Sequence, residues 1–285
     1  MQRMIGRIWQ DSEMNTAGDL FEVLGRKMEN FDAGAWEQKN ADRYNTSRGA
    51  LNDMDCPKCL NRGNFMRIER TDTGFNEVYD PCECMVKRLS LARLRRSGLE
   101  EGVRRCRFDN YRAEEAWQET VLDTARRYAA EDGDAWFFIG GAVGAGKTHI
   151  CTAICGDLME RMPVQYAVWP EELQKLKAAQ FDADEYSPRM QQLMNVDLLY
   201  LDDFLKIAAG KEPSAADVRI AHELLNHRYV ARKKTIISSE RYLGEIADID
   251  QAIGGRIAER AKGYTLNLQR TRSKDYRMKI AGEVI

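Results

Sequence analysis

Past about residue 107 the chain alternates short apolar runs with amphipathic stretches. The runs AWFFIGG, VQYAVW, VDLLYLDDF, KKTIISS and YTLNLQ have the length and β-branched content of strands. Helices are predicted between them: KTHICTAICGDLMER, a stretch from Pro170, a short segment near 188–195, SAADVRIAHELLNHRYVAR with Ser214 as N-cap, 250–262, and a basic C-terminal helix. Alternation of this kind implies an α/β domain around a mostly parallel sheet. Upstream, residues 1–40 are polar with apolar positions at Leu20, Phe21, Val23, Leu24, Met28 and Phe31, which predicts an amphipathic helix. NADRYNTSRGALNDMD reads as a linker. A cysteine-rich stretch over 54–86 follows, then the basic segment KRLSLARLRRSGLEEGVRRCRF. The expected division is a helical segment and linker (1–53), a cysteine module with a basic helix (54–100) and an α/β domain (101–285). The chain has no internal repeat and no low-complexity tract.

Composition narrows the classes. At 285 residues and 44% hydrophobic content the chain can bury a real core. No apolar run approaches the ~20 residues needed to span a membrane, and the N-terminus does not read as a secretion signal. A cytoplasmic location and no membrane partner are expected; Met14 is an alternative start to Met1. The net charge of −2 confines any nucleic-acid contact to local patches. One such patch is Lys87–Arg107, with eight Lys/Arg against two Glu; Arg270, Arg272 and Lys274 are further candidates.

The segment FFIGGAVGAGKTHI places glycine between a strand and a helix, where it weakens both. Gly141-Ala-Val-Gly144-Ala145-Gly146-Lys147-Thr148 fits the phosphate-binding pattern G-x4-G-K-[ST]. Glycines let backbone N–H groups converge on phosphate oxygens, Lys147 reaches the β- and γ-phosphates, and the Thr148 hydroxyl ligates Mg²⁺. The helix that follows, from Lys147 through His149, aims its positive end at the same anion. ATP or ADP with Mg²⁺ is therefore the expected ligand. An acidic residue should end a neighbouring apolar strand. LLYLDDF supplies Asp202 to hold Mg²⁺ through water and Asp203 to orient the attacking water. At the end of KTIISSE, Ser239 and Glu240 are candidates to sense the γ-phosphate.

Four of the seven cysteines lie within 29 positions: Cys56, Cys59, Cys82 and Cys84. C-x2-C followed by C-x-C offers four thiolates for a structural Zn²⁺, and an iron–sulfur cluster would use the same set. NFMRIERTDTGFNEVYDPC between the pairs is expected to form a β-hairpin turning at Thr73-Gly74. Cys106, Cys151 and Cys155 are scattered.

Taken in order, FDNY, GGAVGAGKTHICTAI, LLYLDDF, TIISSE, IGGRIAERAKGY and KDYR resemble the AAA+ domain of bacterial and phage replicative-helicase loaders of the DnaC/DnaI type, which are related to IstB-like transposition ATPases. The resemblance implies a P-loop AAA+ three-layer domain with a central parallel sheet, preceded by a small helical plus zinc-binding domain. It places Phe108 and Tyr111 at the adenine pocket. It makes Arg256 the arginine finger presented to a neighbouring subunit, and Arg277 a second sensor within its own subunit. It implies a hexameric replicative DNA helicase and single-stranded DNA as partners, with self-assembly through the AAA+ domain. The sequence departs from the family in two places. Glu240 stands near the position where Asn is common, and Asp-Asp replaces Asp-Glu. Slow ATP hydrolysis used as a switch is expected. An IstB-like DNA-targeting ATPase and an adaptor that never touches DNA are the competing readings. Tyr166, Trp169 and Phe204 are candidates to stack on bases, with core packing as the simpler role.

Overall fold

The computed structural model describes residues 32–97, 100–207, 211–276 and 278. The helix expected near Leu20–Phe31 lies outside the described residues, as do Arg277 and the chain from residue 279. Two compact units are present, one ending at Cys82 and one beginning at Glu83.

In the first unit α1 (Ala33–Thr46) is capped by Asp32, whose Oδ1 accepts from the Ala35 N–H at 3.0 Å. The first seven residues of the stretch read as linker, 40–46, are thus helix. Its polarity hides it, because α1 is held by side-chain hydrogen bonds rather than an apolar stripe. Tyr44 donates to Asn64 Oδ1 (2.7 Å), and the Asn45 amide bonds both the N–H and the C=O of Met66 at 2.8 Å. β1 (Asn64–Thr71) and β2 (Gly74–Pro81) form the expected antiparallel hairpin. Thr71 pairs with Gly74, so the turn residues are Asp72 and Thr73, one position earlier than predicted. Among the described residues of this unit the buried apolar set is small: Ala41, Met66 and the cysteines Cys56, Cys59 and Cys82.

The second unit opens with the basic helix α2 (Cys84–Ser97) and α3 (Glu100–Arg105). Ser90 ties α2 to the sheet, donating to the Met162 carbonyl (3.2 Å) and accepting from the Val164 N–H (3.1 Å). Then follow α4 (Ala116–Ala130), β3 (Trp136–Gly141), α5 (Lys147–Leu158), β4 (Val164–Val168), α6 (Trp169–Ala179) and α7 (Ala183–Asn195). β5 (Leu198–Asp202), α8 (Ala215–Val230), β6 (Lys234–Ser239), α9 (Leu243–Ile249), α10 (Gln251–Arg260) and β7 (Thr265–Leu268) complete the unit. α7 starts five residues before the predicted segment, because Asp182 caps it by accepting from the Asp184 and Glu185 N–H groups. Ser214 caps α8 as expected, in a reciprocal box with Asp217.

The five strands form one parallel sheet in the order β4-β5-β6-β3-β7. Successive residues of a strand point to opposite faces, so both faces are apolar. Phe137, Ile139, Leu198 and Tyr200 enter a core with α4 and α5, while Trp136, Phe138, Leu199 and Leu201 enter a second core with α6 to α10. The result is three layers. Arg228 of α8 is fully buried, and burial lowers its pKa to about 9. Its guanidinium donates to the carbonyls of Leu193, Val196 and Lys234 at 2.5–2.9 Å, joining the end of α7 to the start of β6. Among the described residues no helix is long and apolar enough to cross a membrane.

Candidate functional site

β5, β6 and β3 are adjacent, so their carboxyl ends bring together three stretches far apart in sequence. In doubly wound sheets ligands bind at this edge. The loop after β3 is compact because its glycines adopt positive φ: +104° at Gly141, +70° at Gly144 and +77° at Gly146. A Cβ at Gly141 would lie 2.1 Å from the Leu268 carbonyl oxygen, so the close approach to β7 also requires glycine. Gly146 caps α5, leaving the N–H groups of its first turn without helical acceptors. Lys147 folds back along the loop, and its Nζ donates to the carbonyls of Gly141 (3.0 Å) and Ala142 (2.6 Å). Burial lowers its pKa, against the opposing pull of Glu240 and Asp203.

Thr148 Oγ1 is 3.3 Å from both carboxylate oxygens of Asp202, 54 residues later. The Asp202 carboxylate is buried and well supplied with donors. Tyr166 donates to Oδ2 at 2.9 Å, Tyr200 to Oδ1 at 2.8 Å, and Ser238 to Oδ1. Burial, reinforced by nearby acidic groups, pushes both tyrosine pKa values up, so both stay protonated donors. Tyr166 and Tyr200 face each other across β4 and β5. Sequence reasoning missed this pair; tyrosines in otherwise aliphatic strands beside a terminal Asp were the available signal. Tyr166 is thus committed to Asp202. Trp169 and Phe204 are fully buried against each other at 5.1 Å, so these three have core or hub roles and none is free to stack on bases.

The chain turns sharply after Asp202: Asp203 and Leu205 both have φ of +55°. Asp203 Oδ2 accepts from Lys206 Nζ at 2.9 Å, and the same ammonium bonds Glu240 Oε1 at 2.8 Å. Burial opposes the Lys206 charge, but its hydrogen bonds to Glu240 and Asp203 outweigh it and raise the pKa. Ser239 is fully buried and donates to the Phe204 carbonyl at 2.7 Å, so of the two sensor candidates only Glu240 faces the cleft.

That cleft has a volume of about 390 Å³ and is lined by the loop Val143–His149, with Tyr111, Asp203, Lys206, Glu240 and Lys274 around it. Burial pushes the Tyr111 hydroxyl up to about 12, and its ring meets the His149 ring edge-on at 5.4 Å. His149 Nε2 lies 3.2 Å from the Arg107 carbonyl and 3.1 Å from Asn110 Oδ1, and so carries the proton. Phe108 does not line the cleft; it packs, partly buried, against the core. Arg256 is also elsewhere, on α10, donating to Asn226 Oδ1 (2.7 Å) and the Ala252 carbonyl (3.0 Å). Much of the basic segment is paired with carboxylates: Arg95 and Arg104 with Glu100, Arg105 with Glu101, Lys87 with Glu160, and Arg107 with Asp109. Arg270 pairs with Glu245, and Lys274 lies 5.1 Å over the Trp117 ring.

Cys56, Cys59, Cys82 and Cys84 converge, with all four sulfurs within 4.8 Å of one another. Cys56 and Cys82 sulfurs are 3.9 Å apart. A tetrahedral ion with Zn–S bonds of about 2.3 Å requires sulfurs about 3.8 Å apart, so the set fits one ion. Leu60, Asn61 and Gly63 take positive φ around the C-x2-C turn, and the Gly63 N–H donates to Cys59 Sγ at 3.3 Å.

A family description for the bacterial DnaA ATPase domain matches residues 104–261, more than half of the chain. The chain is similar to the uncharacterized protein YqaM of Bacillus subtilis, 32% identical over 197 residues that cover 64% of this chain and 61% of the relative. It is also similar to the replicative helicase loader DnaC of Escherichia coli, 28% identical over 171 residues covering 59% of this chain and 67% of the relative. A crystal structure of the DnaC helicase loader superposes with a TM-score of 0.50 at 18% identity, covering 59% of this chain and 98% of that one. The fold is that of a P-loop AAA+ domain.

Proposed function

The chain belongs to the family of the bacterial DnaA ATPase domain, and from that premise we propose that it is an ATP-dependent loader that binds a hexameric replicative helicase and delivers it onto single-stranded DNA. The observation that carries the nucleotide part is the meeting of the glycine loop, Lys147 and Thr148 at one cleft, with the Asp202 carboxylate 3.3 Å from the Thr148 hydroxyl. The loader part rests on the similarity to the DnaC loader.

The residues fit ATP with Mg²⁺. Three positive-φ glycines leave three loop positions without a side chain, and the Thr148 hydroxyl converges with a carboxylate. The N–H groups of Gly144, Ala145 and Gly146 with Lys147 would hold the phosphates, and Tyr111 and His149 would flank the nucleotide. Thr148 and Asp202 would hold Mg²⁺, which supplies divalent charge against the developing phosphate charge. Tyr166, Tyr200 and Ser238 fix the direction of the Asp202 carboxylate before anything binds. Asp203 would orient water, and Arg256 would act from a neighbouring subunit, with Arg277 as the second sensor. Hydrolysis is slow, because Asp203 is a short carboxylate already engaged by Lys206. The four-cysteine set would hold a structural Zn²⁺ and so stabilise a unit whose apolar core is small. That unit, with the chain before it, would grip the helicase, while residues 101–285 carry the nucleotide.

The test is a pull-down of a replicative helicase by the full chain, with and without ATP, beside Lys147→Ala. Expected are ATP-dependent retention by the wild type and loss of tight ATP binding in the variant. No helicase retention in either state would overturn the loader reading. Unchanged ATP affinity in the variant would overturn the phosphate-loop reading.

A further inference from the structure

Asp203 has a backbone held by hydrogen bonds and a carboxylate held by a side chain. Its N–H donates to Ser238 Oγ and Asp202 Oδ1, both at 3.2 Å, and the next N–H, of Phe204, donates to the Ser238 carbonyl at 2.8 Å. Phe204 and Leu205 are buried in the core behind it. The turn closes with the Lys206 N–H on the Asp203 carbonyl at 3.0 Å, which returns the lysine to the cleft. Among the described residues, Lys206 is the side chain that holds the Asp203 carboxylate. The same ammonium reaches across to Glu240, past the end of β6. Among the described residues, Lys206 is therefore the cation that hydrogen-bonds both carboxylates, which follow neighbouring strands. Without it only the longer-range pull of Lys147 would offset their mutual repulsion beside a site that takes an anion.

We propose that Lys206 is a positioning residue of the ATPase site: it clamps Asp203 to Glu240 and thereby sets where the Asp203 carboxylate stands when it orients water. The proposal rests on the ATPase reading above and assigns a role to Glu240 as well, that of counter-anchor for the clamp. Lysine has three N–H donors, and two are used here, so the clamp can keep both bonds while an anion enters. A clamp of this kind acts on turnover, where water must be aligned. It does not act on the capture of nucleotide, which falls to the loop and Lys147.

The experiment compares full-length Lys206→Met, Lys206→Arg and Lys206→Met/Glu240→Gln with the wild type. The readouts are melting temperature, affinity for Mg²⁺-ADP and a non-hydrolysable ATP analogue by displacement of a fluorescent nucleotide, and kcat and KM for ATP. Lys206→Met should keep both affinities and KM within about threefold and lower kcat by about tenfold or more. Lys206→Arg should stay within about threefold of wild type, since it retains the cation. Adding Glu240→Gln should recover about threefold or more of the lost kcat, because it removes the repulsion that displaces Asp203. An unchanged kcat in Lys206→Met overturns the proposal. So does a kcat loss that tracks a fall in melting temperature and is not recovered by Glu240→Gln. A selective loss of analogue affinity of about tenfold would make Lys206 a phosphate contact and also overturn it. Failure of the wild type to bind either nucleotide would instead remove the ATPase reading on which the proposal stands.

Discussion

Gly254 and Gly255 are adjacent in α10, and both precede Arg256. Their environments are opposite. A Cβ on Gly254 would lie 2.5 Å from both Cα and Cβ of Ala247 and 2.9 Å from its N, all in α9. A Cβ on Gly255 would meet nothing within 4 Å. Gly→Ala in an exposed helix gains about 0.8–1 kcal/mol from propensity. Gly255→Ala should therefore be stabilising by about that amount. Gly254→Ala has the same gain, but it must push two helix backbones apart, and the contact is with backbone that cannot rotate away. Overpacking costs about 1–3 kcal/mol, and a backbone collision belongs at the upper end, leaving a net loss of about 2 kcal/mol. The two variants should differ by about 3 kcal/mol, which for a domain of this size is about 6–12 °C in melting temperature. Thermal unfolding followed by circular dichroism, with urea titration as a second measure, reads the difference directly. If Gly254→Ala melts at or above Gly255→Ala, the α9–α10 packing that positions Arg256 is wrong.

Mixing Lys147→Ala with Arg256→Ala protein should restore part of the assembly-stimulated ATPase, because some pairs keep one complete site; a mixture as inactive as each variant alone rules out action in trans. Elemental analysis should find one zinc per chain, and chelation should unfold the cysteine unit while nucleotide affinity persists; zinc-free protein with a normally folded Cys56→Ser variant would refute the site. Asp134 is bonded by Arg232 and Arg260, and the Arg232 hydrogen bond foremost holds its carboxyl down at about 2. Because its pKa is depressed on folding, the pairing contributes fully above the unfolded value of about 3.9 and is lost as pH falls through about 2. Asp134→Asn should therefore lower stability by at most about 1 kcal/mol at neutral pH, with the gap to wild type closing between about pH 4 and 2; a gap that widens toward acid contradicts the assignment.

The hairpin, the strands and the phosphate loop were legible because each is a local pattern: periodicity fixes the element, and glycine spacing fixes the loop. Asp202 was legible as well, since an acidic residue ending an apolar strand stands out in the sequence. Its supporting groups were not. Tyr166, Tyr200 and Ser238 come from three strands, and only the order β4-β5-β6 brings their hydroxyls to one carboxylate. Phe108 and Tyr111 belong to one short motif and both pack against the same core, yet of the two only Tyr111 lines the cleft. Side chains three residues apart diverge by backbone geometry that spacing does not encode. α1 was missed for a related reason, since its hold on β1 is a set of hydrogen bonds between polar residues and leaves no hydrophobic period.

By itself the sequence determined the class of fold, the strand count and the form of the phosphate loop. It also supplied four thiolates at a spacing suited to one ion. Tertiary structure decided which polar groups meet. It closed the thiolates to within 4.8 Å and committed Ser239 to a backbone carbonyl. It placed Lys206 between Asp203 and Glu240. The physical reason is one of range. Backbone propensity and hydrophobic period act over a few residues and survive in the linear pattern, whereas hydrogen bonds and ion pairs require distances near 3 Å between atoms that strand order alone brings together.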